Sequence, residues 1–240
     1  MKQKTDLLKQ GMDALELRIS EKQLAQFLKY YEMLVETNKK MNLTSIVEWD
    51  EVVVKHFLDS LLLVKIFDLS KVESMIDIGT GAGFPGIPIK IMFPHIKMIL
   101  LDSLNKRLNF LNEVISELDL SDIHTVHGRA EEIAKESEYR EQFDLCVSRA
   151  VANLAVLSEF CLPFVNIGGK FIGYKSATSD DEIKQSETAI RILGGKIISN
   201  EKLLLPCSGM ERTFVCVDKV KTTDPNYPRK AGTPKKKPLG

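Results

Sequence analysis

An acid and three glycines occur in Asp77-Ile-Gly-Thr-Gly-Ala-Gly83, which begins inside the short and mostly apolar run Met75–Ile78 and continues past its end. Glycine has no Cβ, so it adopts positive φ easily and lets a ligand lie directly against the backbone. Pro85 suits the first turn of a helix, which Pro94 would end. A buried strand, a glycine turn and a helix in this order are typical of a site for a nucleotide-type ligand.

Two ligand classes compete for this turn. Gly81-Ala-Gly-Phe-Pro-Gly86 matches the G-x-G-x-x-G pattern of dinucleotide sites, but its first glycine comes after the strand has already ended at Gly79. Asp77–Gly83 resembles the D-x-G-x-G-x-G motif of class I methyltransferases, in which the turn cradles the methionine end of S-adenosylmethionine. A glycine loop that binds nothing is disfavoured by the alternating glycines and by the acid inside the strand.

Asp102 ends a second predicted strand, Lys97–Asp102, about twenty residues beyond the glycines. An acid at this position of a nucleotide-binding α/β fold accepts hydrogen bonds from ribose hydroxyls. The position serves NAD and S-adenosylmethionine alike, so it does not discriminate between them.

Strands and helices alternate from residue 75 onwards, which predicts an α/β fold with a mostly parallel, Rossmann-like sheet flanked by helices. Residues 1–70 look helical, with a capping-box pattern at Ser20 and Gln23, and are expected to pack on that core. We expect a ligand-binding domain over 71–220 and a basic tail over 221–240. Further strands are predicted at 123–126, 143–148, 168–174, 196–199 and 212–217.

Lysine plus arginine and aspartate plus glutamate balance at 33 each, but the C-terminal end is basic. From Lys219 to Gly240 there are seven Lys or Arg residues and one acid. This tail suits an anionic partner such as nucleic acid, or equally a solvated end that keeps the protein soluble. Its proline-rich composition predicts that it cannot form a core.

The four cysteines form no C-x-x-C pair, so we expect neither a metal site nor a disulfide framework. No apolar stretch reaches the ~18 residues of a membrane span, and the first residues do not resemble a signal peptide. We therefore expect a cytoplasmic protein that does not enter a membrane.

Methyl transfer from an activated sulfonium mainly requires orientation and a dry pocket, so the acceptor atom decides which side chains are needed. A pyrimidine carbon needs a nucleophilic cysteine, and Cys207 lies too far past the fourth strand to be favoured for this role. An exocyclic amine goes with an Asn/Asp-Pro-Pro-aromatic loop, whereas the loop here is Ser148-Arg-Ala-Val151. A ring nitrogen with its own lone pair needs neither device. His56 and Asp59, spaced i,i+3, are more typical of a satisfied helix-surface pair than of a substrate contact.

Several longer motifs together resemble the RsmG (GidB) family of bacterial small-subunit ribosomal RNA methyltransferases. The resemblance covers nearly the whole chain from about residue 20, and the motif after the first strand extends into the distinctive Phe-Pro-Gly-Ile-Pro. The motifs are Asn42-Leu-Thr-Ser, His56-Phe-Leu-Asp-Ser-Leu61, Asp77-Ile-Gly-Thr-Gly-Ala-Gly-Phe-Pro-Gly-Ile-Pro, Gly128-Arg-Ala-Glu-Glu132, Ser148-Arg-Ala-Val-Ala152 and Tyr227-Pro-Arg-Lys-Ala-Gly-Thr-Pro234.

The resemblance implies methylation of guanine N7 in 16S rRNA near the decoding centre, with S-adenosylmethionine as donor and naked rRNA or a small-subunit particle as substrate. It assigns no catalytic side chain. The cofactor-binding candidates are Gly79, Gly81, Phe84, Asp102, Ala130, Glu131 and Arg149. The RNA-binding candidates are Asn42, His56, Arg149, Arg229, Lys230 and Lys235.

Three alternatives to this function remain open from the residues. One is an NAD-dependent oxidoreductase, which the glycine turn would also serve. Another is a methyltransferase that acts on a small molecule or a protein, for which the basic tail would be idle. The third is an RNA-binding module without activity. In each case a monomer is expected.

Overall fold

A computed structural model of the chain describes residues 2–149, 152–175 and 180–240. Its centre is a seven-stranded sheet in the spatial order β3-β2-β1-β4-β5-β7-β6. Strands β1 to β5 are parallel, while β7 runs antiparallel to both of its neighbours. The prediction of a mostly parallel sheet is therefore confirmed. The strands are β1 (Ser74–Ile78), β2 (Lys97–Asp102), β3 (Ile123–His127), β4 (Phe143–Arg149), β5 (Val165–Lys175), β6 (Gly195–Leu204) and β7 (Glu211–Lys219).

Ten α-helices accompany the sheet within the described residues. The predicted capping box is confirmed, since Ser20 Oγ accepts from Gln23 N at 3.2 Å and Gln23 Oε1 accepts from Ser20 N at 2.9 Å. A π-helical segment, Val53–Leu58, joins α3 to α4. The helices are α1 (Lys2–Ala14), α2 (Glu21–Asn38), α3 (Trp49–Val52), α4 (Asp59–Leu61), α5 (Gly86–Met92), α6 (Asn105–Glu117), α7 (Ala130–Ile133), α8 (Leu154–Cys161), α9 (Asp180–Ile192) and α10 (Thr233–Lys236). Short 3₁₀ turns cover Leu62–Lys65, Leu69–Lys71 and Leu162–Phe164.

The two faces of the sheet carry two separate apolar clusters. The first joins the N-terminal helices to the sheet, because Leu8 of α1 and Phe27 of α2 belong to the same buried cluster as Met75 and Leu100. The second lies under α7, α8 and α9. The N-terminal helices therefore share one core with the strands, as expected when an amphipathic helix buries its apolar stripe on a neighbouring layer.

The C-terminal end docks on the rest of the protein. Tyr227 and Leu239 pack against the second apolar cluster, and Pro234 is buried. Arg140 Nη1 donates to the carbonyl oxygen of Tyr227 at 2.9 Å. The segment forms no core of its own within the described residues, but polar groups elsewhere in the chain bind its backbone, so a few apolar contacts are enough to dock it on the second cluster.

None of the helices in the described part of the chain is long and apolar enough to cross a bilayer. Cys146, Cys161 and Cys216 are buried free thiols and Cys207 is an exposed one. Across 2–149, 152–175 and 180–240, no group of three or more His, Cys, Asp or Glu side chains is arranged to hold a metal ion.

Candidate active site

The glycine turn lies at the carboxyl edge of β1, where a ligand of a parallel sheet is expected. Gly79 and Gly81 have φ of 72° and 62°, and Gly83 has φ of 100°. A Cβ on Gly81 would meet only the carbonyl oxygen of Gly79 at 4.0 Å, whereas one on Gly83 would lie 2.7 Å from Ile87 Cγ1 and 2.8 Å from Tyr30 Oη. Gly81 therefore leaves space open for a ligand, while Gly83 allows the loop to pack against the protein.

We expect Gly83→Ala to destabilise the protein by more than 2 kcal/mol and Gly81→Ala by roughly 1 kcal/mol. Both substitutions strain a positive φ, which costs about 1 kcal/mol. Only the methyl group at Gly83 also overlaps packed atoms, and such overpacking adds roughly 1–3 kcal/mol. Urea unfolding of the two variants measures the difference, and an equal loss in both would show that the loop at Gly83 yields without cost.

Asp77 lies in β1 beneath the turn and is fully buried. Its Oδ2 accepts from Thr80 Oγ1 at 2.8 Å and from the Gly86 amide at 2.9 Å, while its Oδ1 has no partner among the described residues. Burial raises the pKa of this carboxyl from its ordinary 3.8 to about 6, against the lowering effect of those two hydrogen bonds. An orphaned buried acceptor next to a glycine turn suits a ligand that brings a polar hydrogen.

We expect the stability difference between Asp77→Asn and the wild type to shift in favour of the variant as pH rises from 4 to 6.5. The folded protein keeps a proton on Asp77 in this window that the unfolded chain has lost, so the wild type loses stability as pH rises through the folded pKa of about 6. Since one pKa unit corresponds to about 1.4 kcal/mol, we expect a shift of about 2–3 kcal/mol. His56 titrates with the opposite sign, but it is present in both proteins and cancels. Urea unfolding across this pH range provides the test, and a difference that does not vary with pH would contradict it.

Asp102 ends β2 and ties the glycine turn to the neighbouring strand. Its Oδ2 accepts from the Gly81 amide at 3.0 Å and from Arg107 Nη1 at 3.3 Å, and its Oδ1 accepts from the Leu104 amide at 2.9 Å. The side chain is buried, yet it lines a pocket of about 310 Å³ at the carboxyl edge of the sheet. A ligand in this pocket would meet a carboxylate whose orientation is already fixed.

The pocket brings together five of the predicted cofactor-binding residues. These are Gly79, Asp102, Ala130, Glu131 and Arg149. Sequence reasoning did not single out Ser103, Arg107, Phe160 or Gly232, which also line it, although Gly232 belongs to a quoted motif. The predicted residues Gly81 and Phe84 are not part of this lining. A pocket of this volume, with a few fixed polar groups, is in the range of small-molecule sites.

Arg149 stands at the centre of a polar cluster beside the pocket. Its Nη1 donates to Asp59 Oδ2 at 2.7 Å and to the carbonyl oxygen of Lys55 at 3.2 Å, and its guanidinium carbon lies 5.2 Å from the centre of the Phe84 ring. Arg212 Nε donates to the other oxygen, Asp59 Oδ1, at 2.5 Å. The Asp59 carboxylate is thus buried between two arginines and balances one of their two charges.

His56 lies in the π-helical segment and stacks on Phe84, with ring centres 4.4 Å apart and planes at 19°. Its Nε2 is 2.9 Å from Thr44 Oγ1, and its Nδ1 is 3.3 Å from Arg149 Nη2. Burial, and next the charge of Arg149, lower the pKa of this imidazole to about 3, so the ring is neutral near pH 7. The expectation of a helix-surface pair at His56 and Asp59 is wrong, since both side chains are buried against Arg149.

The remaining predicted RNA-binding residues differ in their surroundings. Asn42 and Lys230 are exposed, and exposed Lys235 also lines the pocket. Arg229 forms an ion pair with buried Glu159, with Nη2 2.6 Å from Oε2. Ala150 and Val151, which end the predicted Ser148–Val151 loop, lie outside the described residues.

The family described as rRNA small subunit methyltransferase G (GidB) has a profile that matches residues 23–208. Ribosomal RNA small subunit methyltransferase G of Lachnoclostridium phytofermentans is 51% identical over 230 residues, which cover 96% of this chain and 95% of that protein. The protein of the same name from Exiguobacterium sibiricum is 49% identical over 236 residues, which cover 98% and 97%.

Solved structures with a similar fold include TrmN from Thermus thermophilus and the antibiotic-resistance methyltransferase Kmr. TrmN has a TM-score of 0.52 at 15% identity, and the match covers 70% of this chain and 53% of that one. Kmr has a TM-score of 0.51 at 16% identity, with coverage of 68% and 93%. At these identities the likeness supports the fold alone.

Proposed function

This chain belongs to the rRNA small subunit methyltransferase G family, and we propose that it transfers a methyl group from S-adenosylmethionine to N7 of a guanine in 16S rRNA. The observation that carries the proposal is the pocket at the carboxyl edge of the sheet. It places the ribose-type acid Asp102 and the acid Glu131 in one cavity beside Arg149. The dinucleotide interpretation of the turn and an NAD-dependent reaction have no support in this family.

The residues present fit S-adenosylmethionine. Gly79 lines the pocket, and Gly81 beside it leaves space open next to its backbone. Asp102 and Glu131 supply carboxylate acceptors for hydroxyl or amine hydrogens, and Asp77 Oδ1 offers an acceptor that lacks a partner among the described residues. When bound, the cofactor supplies an activated methyl group on sulfonium sulfur. The protein then has to orient the two reactants and exclude water.

Guanine N7 carries its own lone pair and no hydrogen, so no side chain has to remove a proton before attack. The cluster is consistent with a reaction that needs no general base. Both ring nitrogens of neutral His56 already have polar partners, Thr44 for Nε2 and Arg149 for Nδ1. Arg149 and Arg212 share one carboxylate, so the cluster retains positive charge where a polyanionic substrate would approach. We infer that these groups position the RNA and that none acts as a general base.

The test is transfer of labelled methyl from S-adenosylmethionine into small ribosomal subunits from cells that lack this gene, with the product nucleoside identified by mass. We expect 7-methylguanosine at a single site in 16S rRNA. If the protein binds the cofactor but labels no RNA, the proposed substrate is wrong. If it does not bind the cofactor, the proposed cofactor site is wrong. Comparing naked 16S rRNA with assembled subunits shows which of the two is methylated. The monomeric state and the cytoplasmic compartment stay predictions, and sedimentation addresses the first.

A further inference from the structure

The C-terminal segment, which we define as Tyr227–Lys237, lies beyond the part of the chain that the family profile matches. It nevertheless reaches the cofactor pocket. Gly232 and Lys235 line this cavity together with Ala130 and Glu131 of α7. The pocket wall is therefore assembled from two stretches about one hundred residues apart in sequence.

Hydrogen bonds at two positions hold the segment against α7 and α8. The Gly232 amide donates to Glu131 Oε1 at 2.9 Å, which fixes an acid of the pocket itself. The Arg229 side chain donates to both oxygens of Glu159, and the Arg229 amide adds a third contact at 2.8 Å. Glu159 on α8 is fully buried, so this charge-assisted pair is shielded from solvent. These contacts define one docked position of the segment.

Arg140 connects the segment to α7 through separate hydrogen bonds. Its Nη1 donates to the carbonyl oxygens of Tyr227 at 2.9 Å and Ala134 at 3.1 Å, and its Nη2 donates to that of Thr223 at 2.7 Å. Ala134 directly follows α7, which carries the pocket residues Ala130 and Glu131. Movement of the segment would therefore be transmitted to the acidic side of the pocket.

The segment also carries exposed positive charge at the pocket. Lys235 lines the cavity, and Lys236 and Lys237 follow it directly, all three exposed to solvent. Within the described residues, no carboxylate lies within 4.0 Å of any of these ammonium groups. Lysines without a protein partner at the rim of a site suit the phosphates of an RNA backbone.

We propose that the docked C-terminal segment is a wall of the S-adenosylmethionine pocket and that RNA phosphates bound to its lysines tighten cofactor binding. This inference rests on the proposed function. RNA that stabilises the docked segment also stabilises the pocket wall, and reciprocity requires that bound cofactor tighten RNA binding by the same factor. The segment thus makes occupancy of one site favour occupancy of the other.

Calorimetry with S-adenosylhomocysteine, the unreactive product, tests the wall directly. We expect a chain ending at Lys230, which keeps the Arg229–Glu159 pair, to bind the product at least tenfold more weakly than the full chain. Gly232→Val should have a similar effect, because Gly232 has φ of 83° with nothing within 4 Å of a Cβ, so the β-branched residue shifts the backbone without a clash. Gly209→Val is the matched control, since it also has open space but no positive φ.

The coupling is measured by repeating the titration of the full chain with saturating naked 16S rRNA. We expect the RNA to lower the Kd for the product about fivefold or more, and Lys236→Ala with Lys237→Ala to remove this gain without changing the Kd measured in the absence of RNA. If the truncated and Gly232→Val proteins are folded and bind the product as tightly as the full chain, the segment is not a wall of the pocket. If RNA does not change the Kd of the full chain for the product, the proposed coupling is wrong. If the full chain does not bind the product at all, the proposed function fails as well, so the two failures are distinguishable.

Discussion

We expect Asp59→Asn to lower kcat for methyl transfer at least a hundredfold and to weaken binding of S-adenosylmethionine by about tenfold at most, because Arg149 is only one of the residues that line the cofactor pocket. Asp59 is a positioning residue, since its two oxygens hold Arg149 and Arg212 beside the pocket. An amide keeps the shape and one acceptor oxygen but loses the charge. The two guanidiniums would then face each other without compensation, and breaking one partner of a buried ion pair costs roughly 3–5 kcal/mol. The arginines are expected to separate, which removes the geometry that the RNA must meet.

The matched control is Asp218→Asn, which removes a carboxylate from the pair Lys170–Asp218 on β5 and β7. That pair is partly exposed and lies outside the pocket lining, so its loss should cost under about 1 kcal/mol and leave kcat unchanged. Steady-state kinetics, calorimetry and thermal unfolding separate a positioning effect from simple loss of fold. A fully active Asp59→Asn protein, or a loss of activity explained by unfolding alone, would refute the positioning role.

We expect Asp102→Ala to weaken binding of S-adenosylmethionine at least a hundredfold. The substitution removes the predicted ribose acceptor and also releases the Gly81 amide, so the glycine turn loses its bond to β2. A hydrogen bond to a charged group contributes about 1.5–3 kcal/mol, so two such losses amount to about 3 kcal/mol or more, which exceeds the roughly 2.8 kcal/mol of a hundredfold change.

Asp102→Asn separates the two contributions, because its amide oxygen can still accept from Gly81 while the charge is lost. Its Kd should fall between those of the wild type and Asp102→Ala. Calorimetry measures all three, and circular dichroism reports whether they remain folded. An unchanged Kd in the alanine variant would remove Asp102 from the cofactor site.

Local pattern was enough to predict most of the sheet, since strands such as β1 and β2 are short apolar runs bounded by glycine or proline. The glycine turn and Asp102 belong to adjacent strands, so they too followed from short-range spacing. The polar cluster did not, because Arg149 and Arg212 reach Asp59 across 90 and 153 residues. An acid inside the largely apolar stretch Phe57–Val64 was the available signal, and helix periodicity alone placed it on the surface.

The docked C-terminal segment escaped prediction for a related reason. Its composition is that of a solvated tail. The sequence does not show that Arg229 pairs with Glu159, a buried glutamate 70 residues earlier in the chain. Polar contacts between distant stretches leave no periodic pattern. The available signal was an acid, Glu159, within the largely apolar stretch Leu154–Cys161. An acid there is expected to be buried only if it has a cationic partner.

The order of the sheet has a consequence for synthesis on the ribosome. β7 is the last strand to be made, yet it lies between β5 and β6 and is paired to both. A nascent chain that has not reached Glu211 therefore has an unpaired edge on β5 and a β6 with no neighbour to join. Open strand edges recruit other chains, so premature termination late in the message should yield aggregates rather than a shortened enzyme. Correct folding of a nascent chain would thus depend on synthesis continuing through Lys219, the last residue of β7.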